Sequence, residues 1–250
     1  DAAHMLADAA ALGLSLLAMR FAERPATAHK SYGYHRAEIL AAFVNASVLL
    51  LMSAFILLEA WERFRNPPEV KSVPMLAVAV VGLVVNLVGM RLLAGGAKES
   101  LNVKGAYLEV FSDALSSVGV IGAALVMWRT GWYMADPIVS AGIGLFIVPR
   151  TWTLLKQAVH ILMEGSPSHI NLGALETAIK RVPNVCSVHD LHVWTITSGF
   201  DALSAHVDMD DHTQSDRILS DLRRVLKEEF HIEHTTIQLE IVRCSENGHQ

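Results

Sequence analysis

Four ionisable side chains stand out because they occur within otherwise apolar stretches of this 250-residue sequence. His4 and Asp8 are four residues apart, and Glu109 and Asp113 repeat that spacing much later in the chain. Residues four apart in an α-helix lie on one face, so each pair can present two ligands to the same side. One imidazole and three carboxylates suit a borderline divalent cation such as Zn²⁺. The pattern therefore predicts a four-ligand metal site shared by two helices.

An acidic side chain at the centre of a membrane helix costs about 2.5 to 3.5 kcal/mol on insertion scales. Hydrogen bonding between helices accounts for single polar residues such as Asn45 and Asn86. It does not require four ionisable groups at such a cost. A transported-ion site explains the two pairs better, and a relay for protons alone is the main alternative.

The helices that must carry these pairs are indicated by hydropathy. The composition is 52% hydrophobic and the mean hydropathy is +0.36. A hydrocarbon core of ~30 Å requires about 20 mostly apolar residues in helical form, because lipid offers no partner for backbone groups. Five stretches qualify, and we expect membrane helices over 1–22, 39–61, 73–93, 106–128 and 137–155. The first and the fourth carry the metal-ligand pairs.

The orientation follows from the loop charges. The connections after the first and the third predicted helices hold more Lys and Arg than the other connections do. The basic residues of these two connections are Arg20, Arg24, Lys30, Arg36, Arg91, Lys98 and Lys104. The positive-inside rule places these connections in the cytosol, and the C-terminal part with them.

A second domain is predicted after Gly165, so that 1–165 form a transmembrane domain and 166–250 a cytosolic domain. Its patterns indicate helix 172–181, strands 187–197 and 201–209, helix 216–230 and strand 235–242. The fold class is thus an α-helical membrane bundle followed by a small α+β domain of order αββαβ. Strand alternation places His206 and Glu240 away from the core, and it places His189 on the same side as Leu191.

Several segments resemble the cation diffusion facilitator family. They are DAAHMLAD at 1–8, YGYHRAEILAAFVN at 32–45, LNVKGAYLEVFSD at 101–113, LMEGSP at 162–167, VHDLHVW at 188–194, SAHV at 204–207 and TIQLE at 236–240. The resemblance is greatest to bacterial cobalt-zinc-cadmium resistance exporters, which are similar in having Glu at the position of Glu109. Zinc-selective members usually have His there.

The resemblance implies an integral protein of the bacterial inner membrane that exports Zn²⁺, and also Cd²⁺ or Co²⁺, in exchange for protons by alternating access. It implies a homodimer of six-helix protomers in the lipid bilayer, with ferredoxin-like cytosolic domains. The family's first helix is absent from this sequence. We therefore expect the chain to be truncated at its N-terminus.

The resemblance also implies metal sites outside the membrane. His189, His206 and Glu240 match family positions that bind regulatory metal, and Cys244 follows four residues later as a possible thiolate ligand. His35, with His29 before it, matches a cytosolic loop site. The alternatives are exposed strand residues in the first case and a solvated basic loop in the second.

Other classes of function fit less well. A net charge of −5 without a basic stripe argues against nucleic-acid binding. The His-Glu-x-x-His pattern of a metalloprotease does not occur, so an enzyme is not expected. A cation channel or a metal-responsive membrane scaffold is the remaining alternative, although a channel should have weak sites repeated along a pore.

Overall fold

Long apolar helices make up most of the N-terminal part of the computed structural model, which describes residues 13, 16–66, 72–210 and 212–242. Residues 16–22 are helical (α1). They are followed by α2 (Arg36–Arg65), α3 (Ser72–Leu93), α4 (Leu101–Thr130) and α5 (Ala135–Leu162). A short 3₁₀ helix, Gly96–Lys98, precedes α4. The chain forms two compact units, Asp1–Val159 and His160–Gln250.

Helices α2 to α5 confirm four of the five expected membrane helices. Among the described residues these four are long and apolar enough to cross a bilayer. Each of the predicted spans 39–61, 73–93, 106–128 and 137–155 lies within its helix, and three of the helices extend several residues further. The expected span 1–22 lies mostly outside the described residues.

The membrane unit is apolar outside and polar inside. Large apolar side chains such as Leu51, Val78 and Leu145 are exposed on the helix surfaces. Polar side chains such as Asn45, Ser53 and Thr151 are buried between the helices. A bilayer requires this distribution because apolar surface is at no disadvantage in lipid, whereas polar groups need partners.

Small residues allow the helices to approach one another. A Cβ at Gly144 of α5 would lie 2.9 Å from Leu57 Cδ2 of α2. A Cβ at Gly119 of α4 would lie 2.6 Å from both Val139 Cγ1 and Ile143 Cδ1 of α5. In membranes, packing at small residues replaces the hydrophobic effect as the source of helix association.

An ion pair joins the ends of α2 and α5. Arg63 donates from Nη1 to Asp136 Oδ2 at 3.0 Å and from Nη2 to Glu59 Oε1 at 2.6 Å. The Asp136 side chain is only 6% exposed. Removing Arg63, whose own side chain is 39% exposed, would leave the buried Asp136 carboxylate without its partner. The pair therefore fixes the start of α5 against the end of α2.

The C-terminal unit has the expected αββαβ order. Its elements are α6 (Leu172–Lys180), β1 (Val185–Thr197), β2 (Phe200–Met209), α7 (Ser215–Phe230) and β3 (His234–Ile241). The sheet order is β1-β2-β3, with β1 antiparallel and β3 parallel to β2. Gly199, at φ 73°, lies in the tight turn between β1 and β2, where a left-handed backbone favours glycine.

The core of this unit lies between the sheet and its two helices. Helix α7 contributes Ile218, Leu222 and Leu226, each four residues apart and fully buried. They pack with Leu175 of α6 and Leu203 of β2. These three residues form one apolar stripe along α7 that faces the sheet.

We expect Gly119→Ala to destabilise the membrane unit by about 1 to 3 kcal/mol, because the added methyl group overlaps Val139, whose branched side chain cannot rotate away. The measurement is thermal unfolding of the purified protein in detergent. Gly122→Ala is the matched control, since a Cβ at Gly122 meets nothing within 4 Å. Equal unfolding temperatures for both variants would contradict the close approach of α4 and α5.

Candidate metal centres

Helix α4 positions the two acidic residues predicted to bind metal within the membrane. Glu109 and Asp113 are one turn apart in the N-terminal half of this 30-residue helix. Glu109 is 9% exposed and Asp113 is partly buried. Both belong to the membrane unit and follow the start of α4 at Leu101 by eight and twelve residues.

The start of α4 is held by a hydrogen-bonded cap. Ser100 Oγ accepts a hydrogen bond from the backbone N–H of Val103 at 3.2 Å, which satisfies one of the orphan donors of the first turn. The same hydroxyl donates to Glu38 Oε1 of α2 at 2.5 Å, and the Glu38 side chain is buried. The helix that carries Glu109 and Asp113 is therefore anchored on α2 at its first turn. Glu38 and Ser100 were not predicted to have this role.

The other half of the predicted cage cannot be compared with the structure. His4 and Asp8 lie outside the described residues. The four-residue site therefore stays a prediction, with two of its members on one helix of the membrane unit.

The two loop histidines lie just before α2. His29 is exposed in a turn closed by backbone hydrogen bonds between Thr27 and Lys30. His35 is the residue preceding α2 and is partly buried. In the described part of the chain neither belongs to a group of three metal-ligand atoms lying close together. A metal site in this loop stays a prediction.

Histidine and carboxylate side chains from all three strands meet on one face of the C-terminal sheet. His206 Nδ1 of β2 lies 2.6 Å from Glu240 Oε1 of β3. His189 of β1 has Nε2 3.7 Å from Glu240 Oε2 and Nδ1 3.6 Å from Asp208 Oδ2. The rings of His189 and His206 are 5.2 Å apart. The structure thus brings together three of the four residues predicted for this site, and Cys244 lies outside the described residues.

A bulge in β1 places His189 in this cluster. Strict alternation would put His189 on the side of Leu191, and that expectation is wrong. The register shifts between His189 and His192, and Asp190 has a left-handed φ of 46°. A bulge reverses the facing of the residues that follow it. His189 therefore lies opposite His206, while Leu191 packs against the core.

Two acids of the cluster were missed from the sequence. Ligand atoms of His189, Asp190 and His206 lie within 4.8 Å of one another, and so do those of His189, Asp208 and Glu240. Asp208 follows His206 by two residues, so strand alternation could have placed it on the same face. Asp190 reaches the cluster because of the bulge, and no sequence pattern predicted that bulge.

Surrounding groups hold the carboxylates in place. Ser187 Oγ donates a hydrogen bond to Asp208 Oδ2, and Gln238 Nε2 donates to Glu240 Oε1 at 2.8 Å. Asp208 Oδ1 is buried and has no hydrogen-bond partner among the described residues. A buried carboxylate oxygen without a donor is costly unless a cation is supplied.

The membrane helices with their acidic pair, followed by a small α+β unit with a cluster of histidines and carboxylates, are the features of a membrane transporter for divalent cations. The chain belongs to the cation efflux family. Residues 1–163 match the cation efflux transmembrane domain, and residues 167–242 match the cytoplasmic domain of cation efflux proteins. The expected family, its fold and a cytosolic C-terminal domain are confirmed.

Curated relatives are similar over almost the whole chain. The metal cation efflux system protein CzcD of Cupriavidus metallidurans is 46% identical over 98% of this chain and 78% of its own. The cadmium, cobalt and zinc/H⁺-K⁺ antiporter of Bacillus subtilis is 43% identical over 96% of this chain and 78% of its own. The zinc transporter ZitB of Escherichia coli is 41% identical over 98% of this chain and 78% of its own.

We expect Asp208→Asn to weaken zinc binding at the sheet cluster at least fivefold, because the amide keeps the shape of the side chain but removes its charge and one donor oxygen. Zinc per chain is measured by elemental analysis after dialysis of the full-length protein, in a Glu109→Gln and Asp113→Asn background that excludes the membrane pair. Asp216→Asn, on exposed α7 surface, is the matched control. Equal zinc content in the background protein, the Asp208→Asn variant and the Asp216→Asn variant would show that Asp208 is not a ligand.

Proposed function

We propose that this chain exports divalent metal cations from the cytosol in exchange for protons, with Zn²⁺ as the main cargo and Cd²⁺ or Co²⁺ as further cargo. The observation that carries the proposal is the acidic pair Glu109 and Asp113, one turn apart within an apolar membrane helix. Ionisable residues within a membrane-spanning helix mark ion pathways by default. The relatives named for the efflux or antiport of zinc, cadmium and cobalt support the same cargo.

His4 and Asp8 complete the transport site in this proposal. One imidazole nitrogen and three carboxylate oxygens can surround a Zn²⁺ ion tetrahedrally. Three acids give the site more oxygen donation than a histidine-rich site, which widens its tolerance for metals other than zinc. The site therefore suits an exporter of several divalent metals rather than a strictly zinc-selective one.

Proton exchange follows from the chemistry of these ligands. A carboxylate or an imidazole binds metal only in its deprotonated form, so metal binding displaces protons and metal release allows protons to return. Alternating exposure of one such site to the two sides of the membrane couples the two fluxes. The channel and scaffold alternatives give no role to this coupling.

The sheet cluster of the C-terminal unit is proposed to bind regulatory metal. One ligand atom from each of His189, Asp208 and Glu240 lies within 4.8 Å of the others, which is close enough for small side-chain rotations to bring them around one zinc ion. The donor set of His189, His206 and Glu240 with Asp208 fits Zn²⁺, and the hydrogen bonds from Ser187 and Gln238 orient its carboxylates. Cys244 is proposed as an additional ligand, and His29 and His35 as a separate loop site.

A homodimer is proposed as the working unit, held together in part by the cytosolic domains from about residue 166 onward. The match of residues 167–242 to the cytoplasmic domain of cation efflux proteins supports it. Metal in the cytosolic domain can then affect transport by changing how two such domains associate.

We expect Asp113→Asn to reduce zinc transport into inverted membrane vesicles at least tenfold, because it removes one anionic ligand without changing the size of the side chain. The control is Ser112→Ala on the same helix, whose hydroxyl donates to Leu108 O within α4. Transport by the Asp113→Asn protein at the wild-type rate would refute the assignment of the site.

We expect Glu109→His to raise the preference for Zn²⁺ over harder ions such as Mn²⁺, because a nitrogen donor replaces an oxygen donor and one negative charge is lost. Vesicle transport of each metal is measured for both proteins at roughly pH 5.5 to 8, which brackets the titration of histidine.

Wild-type transport should increase as the cytosolic side becomes more alkaline, since fewer protons then compete with the metal. An unchanged metal ranking in the variant, or a wild-type rate independent of pH, would contradict the assignment of Glu109.

A further inference from the structure

Arg150 is a cation inside the membrane-spanning part of α5. At ~1.5 Å per residue it lies about 22 Å from the start of the helix at Ala135 and about 18 Å from its end at Leu162. Its guanidinium carbon is 4.6 Å from the centroid of the Phe146 ring and 5.3 Å from that of Phe111 on α4. In the described part of the chain no carboxylate forms an ion pair with it.

Arg150 lies where α4 and α5 pack side by side, and this line of contact between the two helices is called the seam. A second cation lies further along the seam. Lys104 Nζ donates to Gln157 Oε1 at 3.2 Å. Gln157 is seven residues after Arg150, so it lies on the same face of α5 two turns closer to the cytosolic end, about 10 Å away. The two cations therefore mark the two ends of one seam that starts at the cytosolic side of the membrane.

The part of the seam beside Arg150 is mainly apolar and faces outward. Leu108 and Phe111 of α4 and Phe146 and Ile147 of α5 line it beside Arg150. Phe146 is 46% exposed on the outer surface of the unit. Phe111 is two residues from both Glu109 and Asp113, which places it on the other side of α4 from the acidic pair. The seam is thus separate from the transport site.

The charges of the seam favour a ligand that is anionic at one end and apolar at the other. An unpaired guanidinium in hydrocarbon is costly and requires a counter-charge. Arginine forms strong charge-assisted bonds with phosphate, and basic pockets between membrane helices on the cytosolic side suit lipid headgroups. The apolar side chains beside Arg150 suit an acyl chain.

We propose that the seam between Lys104 and Arg150 binds an anionic phospholipid of the cytosolic leaflet. The phosphate lies between the two cations, and one acyl chain lies against Phe111 and Phe146. The two cations on one seam favour an anionic lipid over a zwitterionic one, whose own cationic headgroup they would repel.

The test is native mass spectrometry of the detergent-purified full-length protein titrated with phosphatidylglycerol or with phosphatidylcholine. The wild-type protein should bind phosphatidylglycerol at least fivefold more tightly. The Lys104→Gln and Arg150→Gln double variant should lose that preference, whereas Arg150→Lys should keep most of it and so exclude misfolding as the cause. Lys156→Gln is the matched control, because Lys156 is an exposed cation on a different face of α5.

Three results would overturn the proposal. The double variant could retain the wild-type preference, which would show that the seam does not select the lipid. Lys156→Gln could lower the preference equally, which would indicate general surface charge. The double variant could dissociate into monomers with its lipid preference unchanged, which would assign the seam to contact with a second copy of the chain.

Discussion

The hydrocarbon core of the bilayer solvates neither backbone amides nor charges, and the N-terminal unit of this protein is organised around that constraint. It requires continuous helices such as α2 and α4, each 30 residues long. It also requires that every ionisable group have a partner or a function. Arg63 and Asp136 meet the requirement by pairing at the helix ends, and Glu109 and Asp113 meet it as proposed ligands for a cation.

The same constraint explains how the acidic pair is held in position. A carboxylate on one helix is a useful ligand only if that helix keeps its register against its neighbours. Glu38 of α2 bonds to Ser100, which caps α4, so the register of α4 is set at its first turn. Near the other end of the unit, close packing at Gly119 and Gly144 sets the spacing of α5. A movement that exposes the site to either side must therefore shift helices as packed groups.

The cytosolic unit follows the rules of water-soluble domains. Its helices and sheet enclose an apolar core that includes Leu175, Leu203 and Leu222, and the polar side chains collect on the opposite face of the sheet. That face is where His206, Asp208 and Glu240 meet. Two histidines among three acids form a cluster whose like charges repel one another until a cation binds, which suits a domain that responds to the metal content of the cytosol.

The membrane helices, the αββαβ order and the acidic pair could be predicted from the sequence, because hydropathy, strand alternation and i,i+4 spacing are local properties of the chain. Strand alternation also indicated that His206 and Glu240 face away from the core. The position of His189 beside them became evident in the folded protein, because a bulge interrupts the alternation of β1. Pairing across strands brought in Asp208, and packing between helices joined Glu38 to Ser100 and Arg150 to Phe111. Such contacts depend on register and on helix rotation, which residue spacing within one segment does not specify.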